Sequence, residues 1–156
     1  MLGRTHGAVG ALTSLAIIKC TGVELDVITS SSALVIGTLG GLLPDIDHTG
    51  STLGKKIKII GKILKHRGIT HTVYFAFLTS VILFLITNSY VYTLCLFGSV
   101  LSHILGDMLT AQGVEPFKLG KLFSKKICIP ILAYIPILER IILIGSIMLI
   151  GYIGMP

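Results

Sequence analysis

The sequence predicts an all-α fold: a polytopic membrane helix bundle of about five transmembrane helices, forming one unit over residues 1–156. Three observations predict it. Hydrophobic residues make up 53% of the chain and charged residues only 13%, with a mean hydropathy of +0.91. A soluble domain of this size needs far more polar surface, and a disordered chain would be less apolar and more charged. Second, the apolar residues fall into five runs near the length that crosses a bilayer, about 20 residues. Third, the basic residues lie on alternate connections between those runs.

The first run, residues 8–18, reaches spanning length when residues 5–23 are helical. The second covers 27–43 and enters through Ser30, Ser31 and Ser32. The third, 72–87, is strongly apolar and aromatic. The fourth, 91–109, is apolar but carries His103 and Asp107, and the fifth, 137–153, follows Glu139 and Arg140, a pair expected at a span end. Short connections at 21–26 and 88–90 suit antiparallel helical hairpins. Gly37 and Gly41, four apart with Gly40 beside them, offer a face that permits close helix approach. Residues 117–135 mix lysine with apolar side chains and suit the interface plane. The three cysteines, Cys20, Cys95 and Cys128, are scattered and read as free thiols. The N-terminal stretch lacks a small-x-small cleavage site before Lys19, so no cleavable signal is expected.

The long connection 44–70 holds Lys55, Lys56, Lys58, Lys62, Lys65 and Arg67. The second, 111–135, holds Lys118, Lys121, Lys125 and Lys126 against Glu115. With five spans both fall on one side, with Arg4 and the N-terminus, and that side is cytoplasmic by the positive-inside rule. The opposite connections carry Glu24 and Asp26 and no lysine or arginine. The net charge of +6 is therefore read as membrane orientation, and no nucleic-acid partner is expected.

On that topology all five histidines, His6, His48, His66, His71 and His103, approach the cytoplasmic face. So do three of the four aspartates, Asp45, Asp47 and Asp107. His103 and Asp107, at i and i+4, share one helix face. Pro44 sets a turn that presents Asp45, Asp47 and His48 from one loop. Gly68 is expected to break the backbone between His66, in a loop, and His71, in the first turn of the third span. Imidazole and carboxylate together are ligands for Zn²⁺, Mn²⁺ or iron. Eight candidates exceed the needs of one tetrahedral ion and accommodate two, the arrangement that clamps a phosphoryl ester. Arg67 and Arg4 are suited to holding phosphate. Taken singly, each histidine reads as an interfacial anchor and the lysine run as a headgroup signal. The ionisable groups inside a span, and their convergence on one face, argue for a metal site.

Four blocks carry a family resemblance: Gly3-Arg4-Thr5-His6, Leu42-Leu43-Pro44-Asp45-Ile46-Asp47-His48, His66-Arg67-Gly68-Ile69-Thr70-His71, and Ser102-His103 with Asp107 and Thr110. In this order they resemble the YdjM-type inner-membrane metal-dependent hydrolases, over residues 3 to about 115. The resemblance implies a polytopic cytoplasmic-membrane protein with hydrolase activity. More loosely, it implies kinship with zinc-dependent phospholipase C and P1-type nuclease patterns. Ala111 and Gly7 depart from the family pattern, and neither is a proposed ligand.

The expectation is a membrane-bound metal-dependent hydrolase acting on a phosphoester, either a phospholipid or a lipid-linked phosphate, by metal-activated water. His6, Asp45, Asp47, His48, His66, His71, His103 and Asp107 are the candidate ligands of a divalent metal, with Zn²⁺ the expected ion and two ions accommodated. Asp47 (ligand, orienter or base) and Arg67 (phosphate) are the candidate catalytic residues. Membrane lipids and a phosphate-containing substrate are the expected partners. The rivals are a metal-binding transporter and a non-catalytic protein whose metal ties its helices together. No HExxH occurs, which disfavours a zinc protease.

Overall fold

The computed structural model describes residues 1–23, 26–119 and 125–153. Glu24 and Lys121, invoked in the charge pattern, lie outside the described residues. The described chain is all-helical: α1 (Gly3–Thr21), α2 (Val27–Leu42), α3 (Lys58–Ile63), α4 (Val73–Thr87), α5 (Tyr90–Met108), α6 (Ile131–Tyr134) and α7 (Pro136–Ile153). Two 3-10 turns, Pro44–Asp47 and Ile69–His71, follow α2 and precede α4. Each of the five expected runs is a helix. α3 lies inside the long connection 44–70, the first 3-10 turn stands where the sequence placed a turn at Pro44, and the second runs from that connection into His71.

Local chemistry sets the boundaries. Asp26 caps α2 by accepting the amide of Thr29 at 2.7 Å, and Thr72 caps α4 through Phe75 at 3.3 Å. Ser89 caps α5 through Tyr92 at 3.4 Å. Asp26, the aspartate away from the cluster, thus has a capping role. Asn88 ends α4 in the left-handed region at φ 50°, and Gly22 ends α1 at φ 71°. These two residues reverse the chain in the short connections.

Small residues set the packing. A Cβ on Gly37 would stand 2.5 Å from the Gly10 carbonyl oxygen, and one on Gly41 would stand 2.2 Å from that of His6. The pair foreseen in α2 therefore receives α1 at backbone contact, and Gly10 of α1 is its counterpart. Between α1 and α5, Ser14 and Ser99 share a hydrogen bond of 3.1 Å, and Ser99 donates to the Gly10 carbonyl at 2.9 Å. Around this seam Leu15, Ile18, Ala33 and Cys95 are fully buried. α7 packs along α1, and its Glu139 accepts the backbone N–H of Leu2. Glu139 is thus tied to the start of α1, where the sequence suggested a partner in Arg140.

Much of the outer surface is apolar. Phe77 and Leu85 of α4 and Met148 of α7 are 64%, 77% and 71% exposed. Apolar exposure on this scale suits a lipid or protein surround. Two of the described helices, α5 and α7, are long and apolar enough to cross a membrane. α2 and α4, with 16 and 15 residues, are apolar but shorter. All three cysteines are free.

Candidate metal centre

The polar residues meet at one end of the bundle. His6 comes from the first turns of α1, Asp45 and Asp47 from the turn after α2, and His71 from the turn before α4. His103 and Asp107 come from the last turns of α5. His71 thus precedes the helix, one residue ahead of the Thr72 cap, where the sequence placed it in the first helical turn. The left-handed residue in the same segment is Arg67, at φ 59°, and Gly68 remains at negative φ.

Four side chains face one point. Nε2 of His71 lies 3.2 Å from Nε2 of His103, 3.6 Å from Oδ1 of Asp45 and 3.5 Å from Oδ2 of Asp107. Nε2 of His103 lies 3.7 Å from Asp45 Oδ1 and 3.8 Å from Asp107 Oδ2. Tetrahedral coordination with bonds of about 2.0–2.1 Å separates neighbouring ligand atoms by about 3.3–3.4 Å. The donor set and the spacing suit a tetrahedral divalent cation, so this cluster can hold a metal ion. Asp45, Asp47 and His66 form a second possible group, and Asp45 belongs to both. His6 and His48 join neither group.

The surrounding hydrogen bonds orient these ligands. Nδ1 of His103 lies 2.7 Å from the carbonyl of Gly41. A carbonyl only accepts, so Nδ1 carries the hydrogen and the neutral ring presents a bare Nε2 to the cluster. On His71, Nδ1 lies 3.0 Å from the Thr70 hydroxyl and 3.4 Å from Asp47 Oδ2. The hydroxyl itself donates to Asp47 Oδ2 at 2.5 Å. Asp47 also accepts the amide of Arg67 at 3.0 Å and faces His66 Nδ1 at 2.9 Å. With both oxygens engaged and only 2% exposure, Asp47 orients imidazoles in the metal-free fold, and it is also a member of the second possible ligand group.

His6 stacks on His103, with ring centroids 3.7 Å apart, and its Nε2 lies 3.1 Å from Asp107 Oδ1. It therefore braces one carboxylate oxygen while the other faces the cluster. Arg67 takes the opposite side. Its Nη2 lies 3.1 Å from Asp107 Oδ2, and its Nη1 donates to Thr110 and the Gly113 carbonyl, both at 3.0 Å. Its buried Nε has no partner among the described residues. His48 is exposed and lies against the His66 ring at 4.7 Å, on the rim.

Burial opposes charge on Asp47, but hydrogen bonds from His71, Thr70 and His66 outweigh it and hold the carboxyl at about 2. Burial likewise opposes charge on His71, and its bonds to Asp107, Asp45 and Asp47 push its pKa up to about 10. A cavity of about 340 Å³ opens onto Asp45, His66, Arg67 and Asp107.

Thr70, Gly41 and Thr110 also take part, although none is among the candidate ligands expected from the sequence. The two threonines stood within the family blocks. Nothing in a sequence marks a backbone carbonyl such as that of Gly41.

The family described as YdjM inner membrane protein has a model that matches residues 1–153. The uncharacterized protein YvsG of Bacillus subtilis (strain 168) is 30% identical over 123 residues, covering 74% of this chain and 71% of that protein. Inner membrane protein YdjM of Escherichia coli (strain K12) is 44% identical over 82 residues, covering 47% of this chain and 42% of that protein. Its Shigella flexneri namesake shows the same figures. The alignment thus spans less than half the length of these two relatives. No solved structure matches the chain.

Proposed function

This chain belongs to the YdjM inner membrane protein family, and from that premise we propose that it is a membrane-bound metal-dependent hydrolase of phosphoesters. The inner-membrane location follows from the family. The proposal adds five spans with the N-terminus and the metal centre on the cytoplasmic side, and a phospholipid or lipid-linked phosphate as substrate.

The supporting observation is the convergence of His71, His103, Asp45 and Asp107 on one point with tetrahedral spacings. These four would hold a first Zn²⁺, and Asp45, Asp47 and His66 a second. A divalent cation bound there would supply Lewis-acid polarisation and a water acidified to near neutral pH. Asp47 would keep the His71 and His66 rings aimed, His6 would steady Asp107, and His48 would stand at the entrance. Arg67 borders the cavity and would receive a substrate phosphate.

A second reading, a metal that only ties helices together, is favoured by the four protein ligands, which are enough to close a tetrahedron. The cavity over Asp45 and Asp107 favours the hydrolase. The test is metal analysis of the purified full chain, followed by assay against phosphatidic acid, phosphatidylglycerol and soluble phosphomonoesters. The expected result is one to two zinc ions per chain and turnover abolished by His103→Ala. Stoichiometric metal with no turnover of any ester would favour the structural reading.

A further inference from the structure

A second polar cavity, of about 320 Å³, lies beside the metal centre; its charged and imidazole lining is Lys65, His66, Arg67, Glu115, Lys118 and Lys126. It shares His66 and Arg67 with the cavity over the metal ligands. The fold builds it by joining the two basic connections. Val114 and Ile127 exchange backbone hydrogen bonds of 3.1 and 2.8 Å, and Val73 donates to the Pro116 carbonyl at 2.9 Å. These bonds hold Lys118 and Lys126 across from Lys65, which precedes the turn carrying His71.

The charges there are unbalanced. Glu115 pairs with Lys118, and Asp107 with Arg67. Lys65 and Lys126 form no ion pair among the described residues, and both are exposed. Lysines serving only to orient the chain in a membrane need no common cavity, and these converge on one next to the candidate metal ligands.

We propose that this cavity is an anion subsite for a second phosphate group of the substrate, seated on Lys65 and Lys126 while the scissile group lies over the metal centre beside Arg67. The proposal rests on the phosphoester reading for the identity of the scissile group. It selects substrates bearing two phosphates over those bearing one. The second phosphate belongs either to a lipid headgroup or to a soluble diphosphate.

The test separates the subsite from the chemistry. Binding of inorganic phosphate and pyrophosphate is measured by calorimetry on the full chain in detergent, first stripped of metal and then zinc-loaded. The metal-free protein is expected to bind phosphate, and a Lys65→Ala/Lys126→Ala variant about thirtyfold more weakly. Zinc stoichiometry in that variant should match the parent, which also reports folding. In the loaded parent, pyrophosphate should bind at least tenfold more tightly than phosphate, and this preference should vanish in the variant. Detergent-solubilised phosphatidic acid that displaces phosphate would assign the lipid source, and binding undisturbed by it the soluble one. Metal-free protein that binds no phosphate, or a variant that binds as the parent does, would overturn the subsite. Failure of the hydrolase reading would instead appear as intact anion binding with no ester turned over.

Discussion

The carbonyl of Gly41 accepts the Nδ1 hydrogen of His103 at 2.7 Å. The same glycine admits α1 so closely that a Cβ there would stand 2.2 Å from the His6 carbonyl oxygen. Helix packing and ligand orientation are thus one construction: the contact that seats α1 on α2 also aims Nε2 of His103 and brings His6 onto Asp107.

Gly41→Ala is therefore expected to damage both properties. The added methyl meets backbone, which cannot rotate away, so the helices must part at a cost of about 1–3 kcal/mol. Thermal unfolding in detergent should shift downward, and zinc affinity should fall with it. Unchanged affinity in the folded variant would show that the Gly41 carbonyl does not control His103.

Asp47→Asn and His103→Ala should separate orientation from ligation. Loss of a hydrogen-bonded orienter typically weakens a metal site about 10–100-fold, so Asp47→Asn should still fill the first site at saturating zinc. His103→Ala should leave it empty at concentrations that saturate the parent. Competition with a chromophoric chelator measures both.

Asp45 belongs to both ligand groups, and His66 to the second alone. His66→Ala is expected to lower the metal content by one ion per chain where two are bound. Asp45→Asn should weaken both. Elemental analysis after dialysis against buffered zinc reads the difference.

Metal uptake should release protons. In the metal-free fold His71 keeps its proton to a pH of about 10, above the ordinary imidazole value of 6.5. A cation binding Nε2 must displace that proton. Affinity should therefore rise about tenfold per pH unit from about 7 towards 10. The same raised value stabilises the metal-free fold fully below pH 6.5, and that contribution fades as pH rises through 10. Calorimetry in two buffers of different ionisation heat should find about one proton released from this residue per ion bound at the first site.

Cysteines placed at Lys58 and Ser89 should label from opposite sides of the membrane. Lys58 opens α3 beside the metal centre, and Ser89 caps α5 at the far end of the helix that carries His103. Labelling from one side would contradict the five-span arrangement.

The helices were legible in the sequence because their causes are local. Apolar runs, the Asp26, Thr72 and Ser89 caps and the turns at Gly22 and Asn88 are all decided within a few residues. The convergence of His6, Asp45, Asp47, His66, His71, His103 and Asp107 on one end was legible from helix order, since an even number of antiparallel helices separates the segments: α1 and α2 lie between His6 and Asp45, and α4 and α5 between His71 and Asp107. The division of labour within the cluster was not legible. His71 and His103 offer their Nε2 atoms because Thr70, Asp47 and the Gly41 carbonyl occupy their other nitrogens. His6 braces a carboxylate because Gly10, Gly37 and Gly41 let α1 approach. His48 stays at the rim although it stands one residue from Asp47. Such roles depend on distances between groups as many as 101 residues apart in the chain. A one-dimensional pattern supplies the residue types, and only packing decides which atoms face each other.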